Sequence, residues 1–254
     1  MTELLNLLMR DFGVASPVVV AAALAFLRVG AAMAVLPGLG EQSIPARIRL
    51  ATAILLSVAL TPAIMAQVQD IPFAQALLPE MVIGLTLGIA LRFFVFALAT
   101  AGAIIANSTS LSQLFAQGAE PQPAISQFLV MAGISLALAT GLLPKLVGYL
   151  LLSYDAFPAG QFPQAERLAG WAMHHADVAF ALGFQIALPF AVASLLYNLA
   201  LGIINRAMPQ LMVTFIGAPA LSLGGLALMA LATPLLLSVW LQAFNSFLLP
   251  TPAG

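Results

Sequence analysis

The amino-acid sequence predicts an all-α membrane protein of six to eight hydrophobic helices, kinked by proline and glycine. Of the 254 residues, 62% are hydrophobic and 7% are charged, whereas soluble domains carry roughly 25% charged residues. The mean hydropathy is +1.08, and the apolar residues fall into six long blocks. An ordinary aqueous surface cannot be built from this composition. We therefore expect the chain to lie in a membrane or to be covered by other subunits.

The six apolar blocks are separated by short connections. They cover residues 17–36, 48–68, 78–106, 124–152, 178–204 and 211–249. A bilayer crossing needs ~20 residues, so the first, second and fifth blocks fit one crossing each, and the third and fourth are somewhat long. The last block is nearly double that length, and Pro219, Pro234 and the pair Gly224-Gly225 could divide it into two helices.

Proline and glycine mark the connections between the blocks. Residues 37–40 end the first helix, and Pro45 is placed to open the second. The longest connection, residues 153–177, carries six charged or histidine side chains and is predicted to form a surface or interfacial loop. Neither a tandem repeat nor a low-complexity linker is visible, so residues 1–254 are interpreted as a single integral membrane domain.

Composition and motifs argue against several classes of function. The net charge of −1 indicates neither nucleic acid nor an anionic membrane surface as a partner. The absence of cysteine excludes disulfides, thiolate metal sites and cysteine nucleophiles. His174 and His175 are adjacent, and a helix would turn them ~100° apart, away from the i, i+4 spacing of metal ligands. With no P-loop, nucleophile elbow or paired-carboxylate site, we expect no enzymatic activity, no catalytic residue, no cofactor and no metal.

Two arginines lie within apolar blocks. Arg28 lies just past the middle of the first block, and Arg92 lies in the middle of the third. Each would cost roughly 2.5–3.5 kcal/mol if it faced lipid. The favoured interpretation is a structural tie to carbonyls or to a carboxylate such as Glu80. The alternatives are a role in a conduction pathway and snorkelling of the side chain to the membrane interface.

Small residues are spaced for close helix packing. Gly84 and Gly88 form a GxxxG pair, and Ala21, Ala25 and Ala32 give another helix a face of small residues. In lipid, helices associate through such faces because the hydrophobic driving force between them is missing. The pattern favours tightly packed helices over the wall of a wide pore.

A polar run at residues 107–117 follows the third apolar block. Backbone of this kind is tolerated at membrane depth only when it is packed in protein or lines an aqueous cavity. One interpretation is a re-entrant loop that plugs a conduit, closing it by dewetting at its bulky apolar side chains; the other is an ordinary interfacial loop. The candidate plug residues are Ser110, Leu111, Ser112, Gln113, Leu114 and Phe115.

A second polar group ends the fifth apolar block. Asn205, Arg206 and Gln210 cluster around Pro209, and another hydrophobic run follows at once. Hydrocarbon offers these groups no hydrogen bonds. We expect them to hold a hairpin turn and subunit interfaces together.

Three regions resemble the FliR/SctT family of type III secretion export-gate subunits. Residues 26–49 contain an arginine-bearing first helix and the pattern Ser-Ile-Pro-x-Arg-x-Arg, which includes Arg47 and Arg49. Residues 100–112 contain Thr-Ala-Gly and, further on, Leu-Ser. Residues 198–219 contain Asn-Arg-x-x-Pro-Gln at a helix boundary, which is the most specific of the three matches.

The resemblance implies kinked helical hairpins within a hetero-oligomeric helical export gate. It implies a channel subunit through which unfolded flagellar proteins cross the bacterial inner membrane, in the flagellar basal body. The implied partners are FliP-like and FliQ-like gate subunits, FlhB-like and FlhA-like components, unfolded export substrates and membrane lipid, without nucleic acid. The residues assigned to assembly are Arg28, Arg47, Arg49, Gly84, Gly88, Arg92, Asn198, Asn205, Arg206, Pro209 and Gln210.

Two other functions stay open at this point. The homologous subunit of a virulence injectisome shares these patterns, and only gene neighbourhood or substrate identity separates it from the flagellar subunit. A small-molecule secondary transporter is the alternative from another class. Such carriers usually show inverted repeats and a polar site at the membrane midplane, and no repeat is visible here.

Overall fold

The computed structural model describes residues 17–36, 45–68, 71–109, 124–208 and 213–248. Within these ranges the chain forms seven α-helices and no strand, which confirms the predicted all-α class. The helices are α1 Pro17–Val35, α2 Ala46–Val68, α3 Phe73–Ser108, α4 Ala124–Ala139, α5 Leu142–Ala156, α6 Ala165–Ala207 and α7 Val213–Leu248.

Five of these helices, α1, α2, α3, α6 and α7, are long and apolar enough to cross a membrane. The predicted block 124–152 is not one straight helix, because α4 and α5 are bent by 81° at Thr140 and Gly141. Gly141 has a φ of 84°, a conformation that glycine adopts at little steric cost. Pro144 then falls in the first turn of α5, where its missing N–H is tolerated. This bent pair could serve as a sixth span.

The possible division of the last block is wrong, because α7 continues through Pro219 and Pro234. A proline inside a helix removes one N–H donor and bends the axis. The remaining i to i−4 bonds of an apolar segment are then kept, since lipid offers no other partner for the backbone.

The predicted long loop at residues 153–177 is also wrong. Only residues 157–164 lie outside the helices, and α6 begins at Ala165 and is 43 residues long. Glu166 lies in the first turn of α6, where the helix macrodipole stabilises a negative charge. A charged stretch was therefore compatible with the start of a helix.

The helices contribute to two compact units. The described parts of Met1–Arg92, Gly141–Ala176 and Ser246–Gly254 form the first, and those of Phe93–Thr140 and Asp177–Asn245 form the second. In the first unit α1 packs against α2, and α2 contacts α5. The single-domain interpretation stays a prediction.

Aromatic side chains fill the core of the second unit. The fully buried Trp240 donates its indole N–H to the carbonyl oxygen of Phe94 at 2.8 Å. Its ring stacks on Phe244 with centroids 5.0 Å apart, and Phe244 also meets Phe94 edge-on at 5.7 Å. The hydroxyl of Ser126 donates to the carbonyl of Ala99 at 2.8 Å, which ties α4 to α3.

Candidate functional site

The guanidinium of Arg28 is the centre of a buried hydrogen-bonded cluster. Its Nε donates to Oε2 of Glu80 at 2.7 Å, and its Nη2 donates to Oε1 at 3.1 Å. Nη1 donates to Oγ of Ser153 at 3.0 Å, and Nη2 also donates to the carbonyl of Phe157 at 3.1 Å. Both charged side chains are 0% exposed. The predicted tie of Arg28 to a carboxylate and to a carbonyl is confirmed.

The partners of Arg28 are themselves held in place. Oε1 of Glu80 accepts a second hydrogen bond from the backbone N–H of Gly160 at 3.0 Å, and Gly160 has a φ of 71° that side chains rarely allow. The guanidinium carbon lies 3.6 Å from the ring centroid of Tyr154, in cation–π contact. A buried ion pair is tolerated when such additional contacts compensate for lost hydration. The cluster thus joins α1, α3, α5 and the loop that follows α5.

The GxxxG pair places α3 directly against α1. Gly84 lies one turn after Glu80, and a Cβ at Gly84 would collide with the carbonyl oxygen of Arg28. A Cβ at Gly88 would lie 2.5 Å from the carbonyl oxygen of Ala32. The predicted close packing is confirmed as a contact within the chain. A role for Gly84 and Gly88 at a subunit interface stays a prediction.

Three further arginines were assigned to assembly. Arg47 is exposed and Arg49 is half-buried, and both lie in the first turn of α2. The positive end of the helix macrodipole does not stabilise a cation there. Arg92 is half-buried in α3.

The end of α6 is exposed over most of its surface. Within residues 195–208, only Tyr197 and Leu201 are half-buried, and the others are exposed. Asn205 and Arg206 lie in this segment, in the last turn of α6. Asn198 donates through Nδ2 to the carbonyl of Ser194 at 2.9 Å and to its Oγ at 3.2 Å.

The plug candidates Ser110–Phe115 lie outside the described residues, as do Pro209 and Gln210 of the second polar group. The structure describes the chain up to Thr109. The third helix was expected to end before the polar run, but α3 includes Asn107 and ends at Ser108. The hydroxyls of Ser108 and Thr109 both donate back to the carbonyl of Ile105, which lets small polar residues complete a last helical turn.

Sequence reasoning missed several residues of the Arg28 cluster. Ser153, Tyr154 and Phe157 lie about 125 residues further along the chain, and no pattern connects them with Arg28. The positive φ of Gly160 is equally invisible in an isolated glycine. Within the described ranges, no group of three His, Cys, Asp or Glu side chains is placed to hold a metal ion.

Comparisons with known proteins agree with this architecture. The model of the family "Bacterial export proteins, family 1" matches residues 19–247. Flagellar biosynthetic protein FliR of Caulobacter vibrioides is 38% identical over 250 residues, covering 94% of this chain and 98% of the relative. FliR of Escherichia coli K12 is 32% identical over 220 residues, with 83% of each chain covered. FliR of Aquifex aeolicus is 30% identical over 230 residues, covering 88% of this chain and 89% of the relative.

The family model runs through all seven described helices and includes Arg28, Glu80 and the exposed end of α6. The alignment with FliR of Caulobacter vibrioides covers 98% of that protein. The chain therefore belongs to bacterial export protein family 1 and is a member of the FliR family.

Proposed function

We propose that this chain is a core subunit of the flagellar type III export gate and forms part of the channel through which unfolded flagellar proteins cross the bacterial inner membrane. The observation that carries the proposal is the alignment with FliR of Caulobacter vibrioides over 98% of that protein. A multi-pass membrane chain with at least five membrane-length helices among its described residues suits a channel subunit.

The exposed end of α6 supports assembly with other subunits. Leu195, Leu199 and Ile203 are 60–68% exposed, so this segment offers apolar surface to a neighbour. Asn205 and Arg206 are exposed beside it, and lipid cannot satisfy their polar groups. A neighbouring protein surface supplies both apolar contact and hydrogen bonds. We assign this segment, with Pro209 and Gln210 beyond it, to the interface with FliP-like or FliQ-like subunits.

The first turn of α2 is the second proposed contact. Arg47 and Arg49 lie at the helix end where the macrodipole disfavours cations. Carboxylates of a partner, FlhB-like or FlhA-like, would stabilise the exposed Arg47, and Arg49 lies beside it in the same helical turn. Arg92, Gly84 and Gly88, which all lie in α3, keep their proposed role in assembly.

For residues Ser110–Phe115 we propose the role of channel plug. Leu111, Leu114 and Phe115 would close the conduit by dewetting. Unfolded export substrates would displace this segment as they pass.

The chain is proposed to supply wall and plug as a single membrane domain, without catalytic residue, cofactor or metal. Among the described residues, the buried charges of Arg28 and Glu80 pair with each other inside the fold. The energy for export would then come from partner subunits.

Complementation tests the proposed function. The chain is expressed in a bacterium that lacks its own FliR, and flagellar filament protein in the culture medium is measured. We expect secretion to return, and to be lost or strongly reduced when the Arg28→Ala variant, which removes the buried ion pair with Glu80, is expressed instead. A chain that is present in the membrane with the other gate subunits but leaves secretion at zero would contradict the proposal.

A further inference from the structure

Gln185 is a polar side chain on an exposed and otherwise apolar stretch of α6. From Val178 to Ala193 it is the only residue whose side chain can form hydrogen bonds. It is exposed, and no group of the described residues forms a hydrogen bond with its amide. A helix rises 1.5 Å per residue, so Gln185 lies about 12 Å along α6 from Asp177, the nearest charged residue in the sequence. Hydrocarbon at this level of the helix cannot satisfy the amide.

Pro189 adds a main-chain acceptor at the same level of the helix. It lies four residues after Gln185, inside α6. Because proline has no N–H and its ring crowds the carbonyl of residue i−4, the carbonyl of Gln185 loses its usual donor. In membrane helices such a carbonyl is satisfied by a neighbouring helix, by a Ser or Thr hydroxyl or by water. The stretch 178–193 contains no Ser or Thr, so the hydrogen bonds have to come from outside this part of α6.

The residues that surround Gln185 favour a packed protein partner over water. A helix turns 100° per residue, so Val192, Leu196 and Ile203 lie within about 20° of Gln185 around the helix axis. Their side chains are 46%, 61% and 63% exposed. Bulky apolar side chains do not make a wetted wall, whereas one polar side chain within an apolar stripe is typical of a helix–helix contact that a hydrogen bond holds in register.

The same stripe reaches the surface already assigned to a neighbouring subunit. Ile203 belongs to the exposed end of α6, and it lies about 27 Å along the helix from Gln185. This length is close to the ~30 Å thickness of the hydrocarbon core, so one membrane helix lying along α6 spans both residues. Lipid tails would cover the apolar part of the stripe but would leave the amide and the carbonyl of Gln185 without hydrogen bonds.

We infer that Gln185, Val192, Leu196 and Ile203, here called the Gln185 stripe, are the docking surface for one apolar helix of another gate subunit. This helix carries a hydrogen-bonding side chain opposite Gln185. An Asn or Gln side chain fits, because an amide can donate to the carbonyl of Gln185 and also accept from its side chain. The inference rests on the proposed function, because the partner is a gate subunit. It extends the proposed interface by about five helical turns.

The test uses variants of the full, tagged chain purified from native membranes in mild detergent. The amount of each gate subunit recovered per chain is measured. Gln185→Leu removes the amide and keeps a side chain of similar size, and Pro189→Ala returns an N–H to the carbonyl of Gln185. Phe184→Leu is the matched control, because Phe184 is 49% exposed on α6 but lies about 100° away around the helix.

An interhelical hydrogen bond in a membrane changes association by roughly threefold on average. We expect the recovery of one subunit to fall by about this factor with Gln185→Leu, to fall less with Pro189→Ala, and to stay at the parent level with Phe184→Leu. Equal recovery for Gln185→Leu and the parent chain would overturn the inference and leave the proposed function intact. A parent chain that recovers no gate subunit would contradict both.

A second measurement distinguishes a protein contact from a water-filled conduit. The chain contains no cysteine, so Gln185→Cys introduces a single thiol. In the assembled gate we expect a membrane-impermeant maleimide to leave this thiol unmodified, because the partner helix covers it. Arg167→Cys, at the exposed start of α6, is the control that should react. Modification of both thiols would show that Gln185 faces water and would overturn the inference.

Discussion

Arg28 and Glu80 lie 52 residues apart and form a fully buried, bidentate ion pair with a shortest distance of 2.7 Å. Two contacts hold α1 against α3: this ion pair, and a close backbone approach at Gly84. One turn after Glu80, Gly84 lets the backbone of Arg28 approach α3 too closely for any larger residue. The side chain of Arg28 and its backbone thus contact the same stretch of α3.

Breaking this ion pair from one side should be more damaging than removing it altogether. Arg28→Met or Glu80→Gln alone leaves a buried partner uncompensated, which typically costs about 3–5 kcal/mol of stability. The double variant removes both charges and should be less destabilised than the sum of the two single variants. Thermal unfolding of the purified complex in detergent measures all three. Strictly additive losses would show that the two side chains do not act as a pair.

The contact between α1 and α3 predicts a strong effect of a small change. Gly84→Ala adds one methyl group against the carbonyl of Arg28, and such overpacking costs about 1–3 kcal/mol. Gly170→Ala in α6 is the control, because no atom lies within 4 Å of a Cβ there. A helical Gly→Ala change without contacts is expected to stabilise by roughly 0.5–1 kcal/mol. Equal unfolding temperatures for the two variants would contradict the close approach.

Replacing Arg206 should lower the yield of assembled gate complex before it alters gating. Arg206→Ala removes a cation from the exposed end of α6, and the yield of intact gate complex should fall at least several-fold, since a hydrogen bond to a charged group typically contributes about 1.5–3 kcal/mol. Arg167→Ala, at the exposed start of the same helix, serves as the control and should leave the yield unchanged. Normal complex yield combined with leaky secretion in Arg206→Ala would argue against the interface role.

Loss of the proposed plug should raise ion leak without lowering the yield of assembled gate complex. Deletion of Ser110–Phe115 should leave assembly intact and raise ion leak, because the apolar barrier to water disappears. Changing Leu111, Leu114 and Phe115 to Ser keeps the chain length and should also raise the leak. If both variants stay as ion-tight as the parent, these residues do not form the plug.

The sequence allowed the Arg28–Glu80 pairing and the close packing of Gly84 to be predicted, because both follow from local rules. A charge inside an apolar helix needs a partner, and paired glycines need a neighbouring backbone. Ser153 and Phe157 could not be predicted in the same way, because only the tertiary fold brings them to Arg28.

The errors in the fold have a common physical origin. Hydropathy reports composition, not backbone conformation, so it did not register the turn at Gly141 inside an apolar block. Pro219 and Pro234 were also expected to be able to break the last block, but α7 continues through both prolines. In α7 the backbone hydrogen bonding that an apolar segment must keep outweighs the two prolines.

The most direct test of the central claim is affinity purification of the tagged chain from its native membrane in mild detergent, with mass spectrometry of the proteins that accompany it. We predict that FliP-like and FliQ-like subunits are recovered with the parent chain and the Arg167→Ala variant, and are depleted with Arg206→Ala. A chain that purifies alone, intact and monodisperse, and that transports small solutes in liposomes by itself, would contradict the account.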